Sequence, residues 1–359
     1  MPVYKDESKG TYYTAFYYTD WNGERKKKKK EGFKKQSEAK EFEREFINKQ
    51  GGGSNMSFGN LVELYMEDCK ARLRKTTYEN KKFLINSKIL PYFKDTPINT
   101  ITPAMIRRWQ NKLITHKDNY APTYLKTINN QISAIFNFAV RYYGLPFNPV
   151  ARCGSMGKKY AEAMKFWTKK EFDTFIDFYK EKPRFWYAFN LLFYTGIRSG
   201  EFLALTLNDF DFKNNILHIT KSYARVSGLD GPEDLISEPK TPKSIRDITI
   251  PKFLAKIVQE YASMLVDYDP NDRLFNCTKH TIQKQLVHGC DYTGVKRIRV
   301  HDLRHSHASL LIEFNFSILL ISERLGHEDI ETTLRTYAHL YPNKDSQVAE
   351  KLDELHEVA

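Results

Sequence analysis

The sequence predicts a multidomain protein, mainly α with small β-sheets: a small sheet carrying one helix, then a helical bundle, then a mixed α+β module. Three observations predict it. The chain has 359 residues, more than one ordinary core holds. Gly51, Gly52 and Gly53 stand together before Ser54 and Asn55, a run that no helix or strand interior tolerates cheaply. The spacing of apolar residues changes from strand-like to helical and back to mixed along the chain.

Residues 1–50 form the first module. Tyr12 to Thr19 and the stretch around Gly32 and Phe33 read as strands, and Asp20, Asn22 and Gly23 mark a turn between them. Ser37 has the form of a helix N-cap, followed at helical spacing by Ala39, Phe42, Phe46 and Ile47. Lys26, Lys27, Lys28, Lys29 and Lys30 project from this hairpin, where five adjacent cations repel one another unless phosphates sit nearby; a solvated tip is the plainer reading.

The linker at 51–56 leads to a helical module at 57–153. Four apolar patterns predict four helices: Phe58, Leu61, Leu64 and Tyr65; Tyr78, Leu84 and Ile85; Met105, Ile106, Trp109 and Leu113; and Tyr124, Ile128, Ile132, Ile135, Phe136 and Ala139. Gly144, Pro146 and Pro149 end the pattern, and a second linker is expected at 154–163. The last module, 164–359, opens with Thr168 and Glu171 spaced as a capping box. Helices follow, then strands at Ile216 to Ser222 and Arg246 to Ile250, then helices from Pro251 onward.

Composition narrows the function. With 41% hydrophobic and 14% aromatic residues the chain buries real cores. No run of 18 apolar residues occurs and the first ten residues lack a secretory pattern, so a cytoplasmic protein without membrane contact is expected. Cys69, Cys153, Cys277 and Cys290 are scattered, without zinc spacing, and read as reduced thiols. The net charge of +12 is unevenly spread. Residues 1–50 hold 13 Lys and Arg against 9 acids, 57–160 hold 17 against 6, and 161–359 hold 26 against 29. A phosphate-gripping portion joined to a nearly neutral catalytic portion has this distribution, as does a solvated basic face. Arg72, Arg74, Lys75 and Lys126 are the candidate phosphate contacts of the helical module.

Four motifs carry chemistry. Thr195-Gly196-Ile197-Arg198-Ser199-Gly200-Glu201 sets an arginine at a helix start, where its fork suits phosphate oxygens and Glu201 orients it. Lys240-Thr241-Pro242-Lys243 leads into a strand and offers two lysines, either able to protonate a leaving oxygen. His301-Asp302-Leu303-Arg304-His305-Ser306-His307 puts His301 and Arg304 on one helical face; a metal site is the competing reading, but no acid or cysteine completes a convincing ligand set. Leu325-Gly326-His327 precedes Thr336-Tyr337-Ala338-His339 by about a helix.

Taken in order, Arg198, Lys240, His301, Arg304, His327 and Tyr337 resemble the Arg-Lys-His-x-x-Arg-His-Tyr pattern of the tyrosine recombinase (phage integrase) family. The likeness spans the chain and is similar in style to integrases of temperate phages and of integrative and conjugative elements of Gram-positive bacteria. The resemblance implies an arm-type DNA-binding domain at 1–50, a core-type domain at 57–153 and a catalytic domain at 164–359. It implies a site-specific recombinase that cuts and rejoins DNA through a 3′-phosphotyrosine on Tyr337, without metal, ATP or other cofactor. Arg198 and Arg304 then neutralise the phosphate, Lys240 protonates the leaving 5′-oxygen, His301 assists proton removal from the tyrosine, His327 hydrogen-bonds the phosphate and Glu201 supports Arg198. It further implies double-stranded DNA with arm and core sites, a homotetramer on that DNA, a possible excision factor, and a C-terminal helix at 345–357 passed to a neighbouring protomer. A type IB topoisomerase and a non-catalytic DNA-binding regulator are the rival readings.

Overall fold

The computed structural model describes residues 3–7, 9–19, 25–50, 56–158, 164–228, 231–239 and 241–340. The chain divides into two compact units, Met1–Glu162 and Ala163–Ala359. Lys240, the expected hairpin turn at 20–24 and the expected C-terminal helix at 345–357 lie outside the described residues. Among the described residues no helix is long and apolar enough to cross a membrane.

In the first unit, Val3–Asp6 (β1), Thr11–Thr19 (β2) and Arg25–Phe33 (β3) form an antiparallel sheet in that order, followed by helix Gln36–Gln50 (α1). Phe46 packs edge-on to Phe16 and Phe42 lies against Phe33, which seats α1 on the sheet. The helix begins one residue before the expected cap. Ser37 lies inside it, and the Glu38 carboxylate accepts from the Lys34 and Lys35 backbone N–H groups at 3.2 and 3.4 Å. A carboxylate at that end also complements the helix dipole. The five lysines run along β3 instead of projecting from a tip.

Helices Phe58–Arg72 (α2), Lys75–Leu84 (α3), Leu90–Phe93 (α4), Pro103–Ile114 (α5), Pro122–Tyr142 (α6) and Pro149–Cys153 (α7) make the rest of this unit. Ser57 caps α2 through the Asn60 N–H and Thr102 caps α5 through the Met105 N–H. Phe58, Ile85, Ile106, Trp109, Ile132 and Phe136 meet in one core. The single helix expected around Tyr78 and Leu84 is α3 and α4 joined by a widened turn at Ile85–Ile89, next to Pro91, which has no N–H to donate. Gly154 to Lys158, read from the sequence as the start of a connector, packs on this unit: Met156 is buried, and Gln110 Nε2 donates to the Gly154 carbonyl at 2.8 Å.

The second unit contains Lys169–Asp177 (α8), Pro183–Thr195 (α9), Ser199–Ala204 (α10), Phe210–Asp211 (β4), Ile216–Ile219 (β5), Ser222–Gly228 (β6), Gly231–Ser237 (β7), Arg246–Thr249 (β8), Lys252–Ser263 (α11), Lys279–Thr293 (α12), Asp302–Glu313 (α13), Ile318–Leu325 (α14) and Ile330–Tyr337 (α15). The capping box at Thr168 and Glu171 forms as expected. β4, β5 and β8 make one antiparallel sheet, while β6 and β7 make a separate hairpin. The expected strand from Ile216 to Ser222 is therefore two strands, broken at Thr220 and Lys221. Aromatic residues of α8 and α9 fill the core, with Phe172 stacked on Phe193 and Phe175 edge-on to Phe189.

Candidate active site

Three guanidinium groups converge on the C-terminal end of α14. A helix leaves its final carbonyls without intrahelical donors, and those carbonyls carry the negative end of the helix dipole. Here Arg246 Nε donates to the Arg324 carbonyl at 2.8 Å, Arg304 Nη2 to Leu325 at 2.7 Å and Arg198 Nη2 to Gly326 at 2.9 Å. Local sequence makes the convergence possible. α9 ends at Gly196 with φ +65°, and the chain turns so that Arg198 stands at the start of α10. α14 ends at Gly326 with φ +66°, where an added Cβ meets the Lys243 carbonyl and the Arg246 side chain at 2.9 Å.

Glu201 joins two of the three arginines. It is 2% exposed; Arg198 Nη1 donates to its Oε1 at 2.7 Å, Arg246 Nη2 to its Oε2 at 3.0 Å, and the Arg198 backbone N–H also donates to Oε2 at 2.9 Å. Burial alone raises the pKa of a carboxyl, but Arg246 and Arg198 hold Glu201 below its usual range, so it is an anion at neutral pH. Arg304 is equally buried and also donates to the Gly196 carbonyl at 3.0 Å. Burial and the neighbouring Arg198 bring its pKa down to about 9, still a cation at neutral pH.

The histidines divide by direction. His327, directly after Gly326, holds Thr333 Oγ1 at 2.7 Å through Nδ1, an arrangement that leaves Nε2 to carry the proton when the threonine donates. Burial and then Arg304 push His327 down to about 3, so it is neutral. His301, at the start of α13, is exposed at the surface, with its ring edge-on to His305 at 5.2 Å. Burial of its inner side and the proximity of His305 hold it down to about 4. His305 Nδ1 lies 2.6 Å from the Tyr337 hydroxyl. His307 points elsewhere and accepts from Arg324 Nε at 3.1 Å.

Tyr337 is 1% exposed, packed against Ala308, Ile312, Ile321 and Leu325. Burial pushes its hydroxyl above the ordinary phenol range, with Arg304 acting in the opposite direction. Arg198, Arg304, His327, Glu201, His301 and Tyr337 thus all lie within the second unit, and the first four meet around the end of α14. Lys243 donates to the Glu328 carbonyl at 2.8 Å, beside His327. Sequence reasoning missed Arg246, which it read as a strand residue, and also Thr333 and His305. His305 alone had a signal, being four residues after His301 and so on the same helical face.

The candidate DNA contacts are all in the first unit. Residues Arg25 to Lys30 of β3 are exposed, and alternate residues face opposite sides. Lys28 and Lys30 lie over Phe46 and Phe42 of α1, while Arg25 and Lys27 lie over Tyr17 and Lys29 over Tyr13. Lys29 also pairs with Glu31. Arg72 pairs with Asp68 at 2.9 Å, Lys126 donates to Ser155 Oγ at 2.7 Å, Arg74 stands at the start of α3 and Lys75 is its first residue.

Residues 2–50 match an Arm DNA-binding domain, 57–114 a phage integrase N-terminal SAM-like domain, and 165–344 the phage integrase family. The chain is 32% identical to the ICEBs1 integrase of Bacillus subtilis (strain 168) over 343 residues, 88% of this chain and 87% of that one. It is 25% identical to the integrase of Staphylococcus phage L54a over 325 residues, 81% and 86% of the two chains. Its fold is similar to the Tn1549 transposon integrase solved with a circular intermediate DNA, at TM-score 0.66 and 19% identity, covering 85% of this chain and 100% of that one. It is also similar to lambda integrase solved as a tetramer on a Holliday junction, at TM-score 0.57 and 17% identity, covering 92% and 96%. With family matches over all three modules and a relative of this identity along most of its length, the chain belongs to the phage integrase family and is a tyrosine-type site-specific recombinase.

Proposed function

We propose that the residues around the end of α14 hold the scissile phosphate and that Tyr337 attacks it. The observation that carries this reading is the convergence of Arg198, Arg246 and Arg304 on three successive carbonyls, next to His327. Cations already fixed by backbone acceptors and by Glu201 need little reorganisation when phosphate charge builds in the transition state. Arg198 and Arg304 then face the non-bridging oxygens, and His327 donates through Nε2, its orientation set by Thr333. The product is a 3′-phosphotyrosine with a free 5′-hydroxyl, which attacks the equivalent linkage in a partner duplex. Lys240 is the proposed acid for the leaving 5′-oxygen, with Lys243 as its rival. No metal, ATP or other cofactor enters the reaction.

Residues 1–50 are proposed to bind arm sequences and 57–153 to grip the core site, joined by linkers at 51–56 and 154–163 to the catalytic domain at 164–359. The face of β3 that carries Arg25, Lys27 and Lys29 beside Tyr13 and Tyr17 combines cations with aromatic rings, which suits a phosphate backbone. Relatives solved on a circular intermediate DNA and as a tetramer on a Holliday junction support DNA and a homotetramer for this chain. Beyond that support, the proposal includes attachment-site DNA, integration and excision of a mobile element, a possible excision factor and a C-terminal helix exchanged in trans. Its place is the bacterial cytoplasm, on the nucleoid. A regulator that only binds DNA has no use for a buried tyrosine beside an imidazole.

The test is a denaturing gel after incubation with a nicked duplex bearing the attachment core. A covalent adduct that forms without metal or ATP and is absent in Tyr337→Phe supports the reading. An adduct that persists in the variant moves the nucleophile elsewhere.

A further inference from the structure

A buried phenol is a poor nucleophile at neutral pH. The ordinary tyrosine value is about 10, and the apolar surroundings of Tyr337 push its hydroxyl higher. Attack on phosphorus therefore needs a base within hydrogen-bond reach of that hydroxyl. Resemblance alone gives this task to His301. The hydrogen bond, however, comes from His305, one helical turn further along α13.

We propose that His305 is the group that takes the proton from the attacking tyrosine, an inference that rests on the reading of Tyr337 as nucleophile. Its Nδ1 stands 2.6 Å from the Tyr337 oxygen, and it is the partner of that hydroxyl among the described residues. Burial holds the imidazole below its ordinary value, with Asp302 opposing and Arg304 and Arg299 assisting, so the ring is neutral and offers a lone pair. A neutral ring that accepts at Nδ1 keeps its own proton on Nε2.

The position of the ring is set from both sides along α13. Arg304 before it is anchored to the Gly196 and Leu325 carbonyls. Ser306 after it is fully buried, donates to the Asp302 carbonyl at 2.9 Å and accepts from the Trp167 backbone N–H at 2.8 Å. His301 stands edge-on to the His305 ring, with centroids 5.2 Å apart. On this reading His301 packs beside the base without itself holding the Tyr337 hydroxyl.

In the step itself, the bond from the Tyr337 oxygen to phosphorus forms as the bond from phosphorus to the 5′-oxygen breaks. The tyrosine proton moves to His305 Nδ1, and the 5′-oxygen takes a proton from Lys240, its proposed acid. Rejoining runs the same transfers in reverse.

The test is the single-turnover rate of adduct formation on the nicked duplex at saturating DNA, for wild type, His305→Ala, His305→Asn and Tyr337→Phe, with thermal melting as the control for folding. A second duplex carries sulfur at the 5′-bridging position, a leaving group that needs no proton. A base removed by His305→Ala slows adduct formation by about 10²-fold or more. The slowing is the same on the sulfur and oxygen duplexes, because the missing proton transfer is on the attacking side. His305→Asn keeps a hydrogen-bond acceptor near the position of Nδ1 without its basicity; it is expected to fold even where the alanine variant does not, and to be as slow. The proposal is overturned if His305→Asn stays within about threefold of wild type, which reduces His305 to positioning, or if the sulfur duplex restores the rate, which moves it to the leaving-group side. An adduct that survives Tyr337→Phe overturns the nucleophile assignment, and this proposal falls with it.

Discussion

The cations of β3 and those at the end of α14 have the same sign of charge and opposite surroundings. On β3, Arg25 to Lys30 stand in water over aromatic rings, where salt screens them and each contributes little to stability. At α14, Arg304 is 2% exposed, the Arg246 side chain is 7% exposed, and backbone carbonyls together with Glu201 compensate their charge. Exposed cations raise affinity for any phosphate backbone without fixing one phosphate in place. Buried, anchored cations select a single position and a single transition state.

The contrast is broken most forcefully at Glu201. Glu201→Gln removes the anion between Arg198 and Arg246, and loss of a partner from a buried charge cluster costs about 3–5 kcal/mol. Chemical denaturation should show that loss, with cleavage falling alongside it. The same carboxyl gives a pH dependence. Its folded pKa lies below the unfolded value, so its contribution is complete above about pH 4.3 and is lost as the pH falls further.

Arg304→Lys sharpens the contrast by keeping the charge and removing the fork. One ammonium cannot reproduce the paired bonds to Gly196 and Leu325, so the adduct rate at saturating DNA should fall about 10²–10³-fold, while DNA affinity changes little. A smaller effect is expected at His307, which is buried and accepts from Arg324 Nε. Burial, then Arg324, pushes it down to about 3. The unfolded chain binds a proton here near about pH 6.5 and the folded chain does not, so stability is full above about pH 6.5 and lost below it. His307→Gln should flatten the fall in melting temperature between about pH 6.5 and about pH 4. The smallest change in free energy is expected when Arg25, Lys27 and Lys29 become Gln. The slope of log affinity against log salt should drop by about 0.9 for each phosphate that these side chains no longer neutralise.

The sequence made the first kind of cation visible and the second only in part. A run of five lysines is local, as are the capping box at Thr168 and the strand patterns at β5 and β8. The hairpin β6–β7 has no clear alternation, and among its described side chains only Tyr223 and Val226 are buried, so periodicity could not find it. The candidate site residues were named from their order along the chain, but their geometry depends on long-range hydrogen bonds. Arg198 reaches a carbonyl 128 residues away, and Arg246 one 78 residues away. Arg246 stands in a strand pattern between the exposed Ile245 and Asp247, so nothing local distinguishes it from a surface arginine. His305 is one of two histidines within α13, with His301 just before it, and only the tertiary contact with Tyr337 separates its task from those of its neighbours.

Two sets of cations with separate work should respond differently to one measurement, the single-turnover rate of adduct formation at saturating DNA in Arg304→Lys and in the β3 triple variant. The expected rate is lowered about 10²–10³-fold in the first and equal to wild type in the second. Equal rates in Arg304→Lys and wild type, or a loss of rate in the β3 variant that saturating DNA does not restore, would contradict this division of labour.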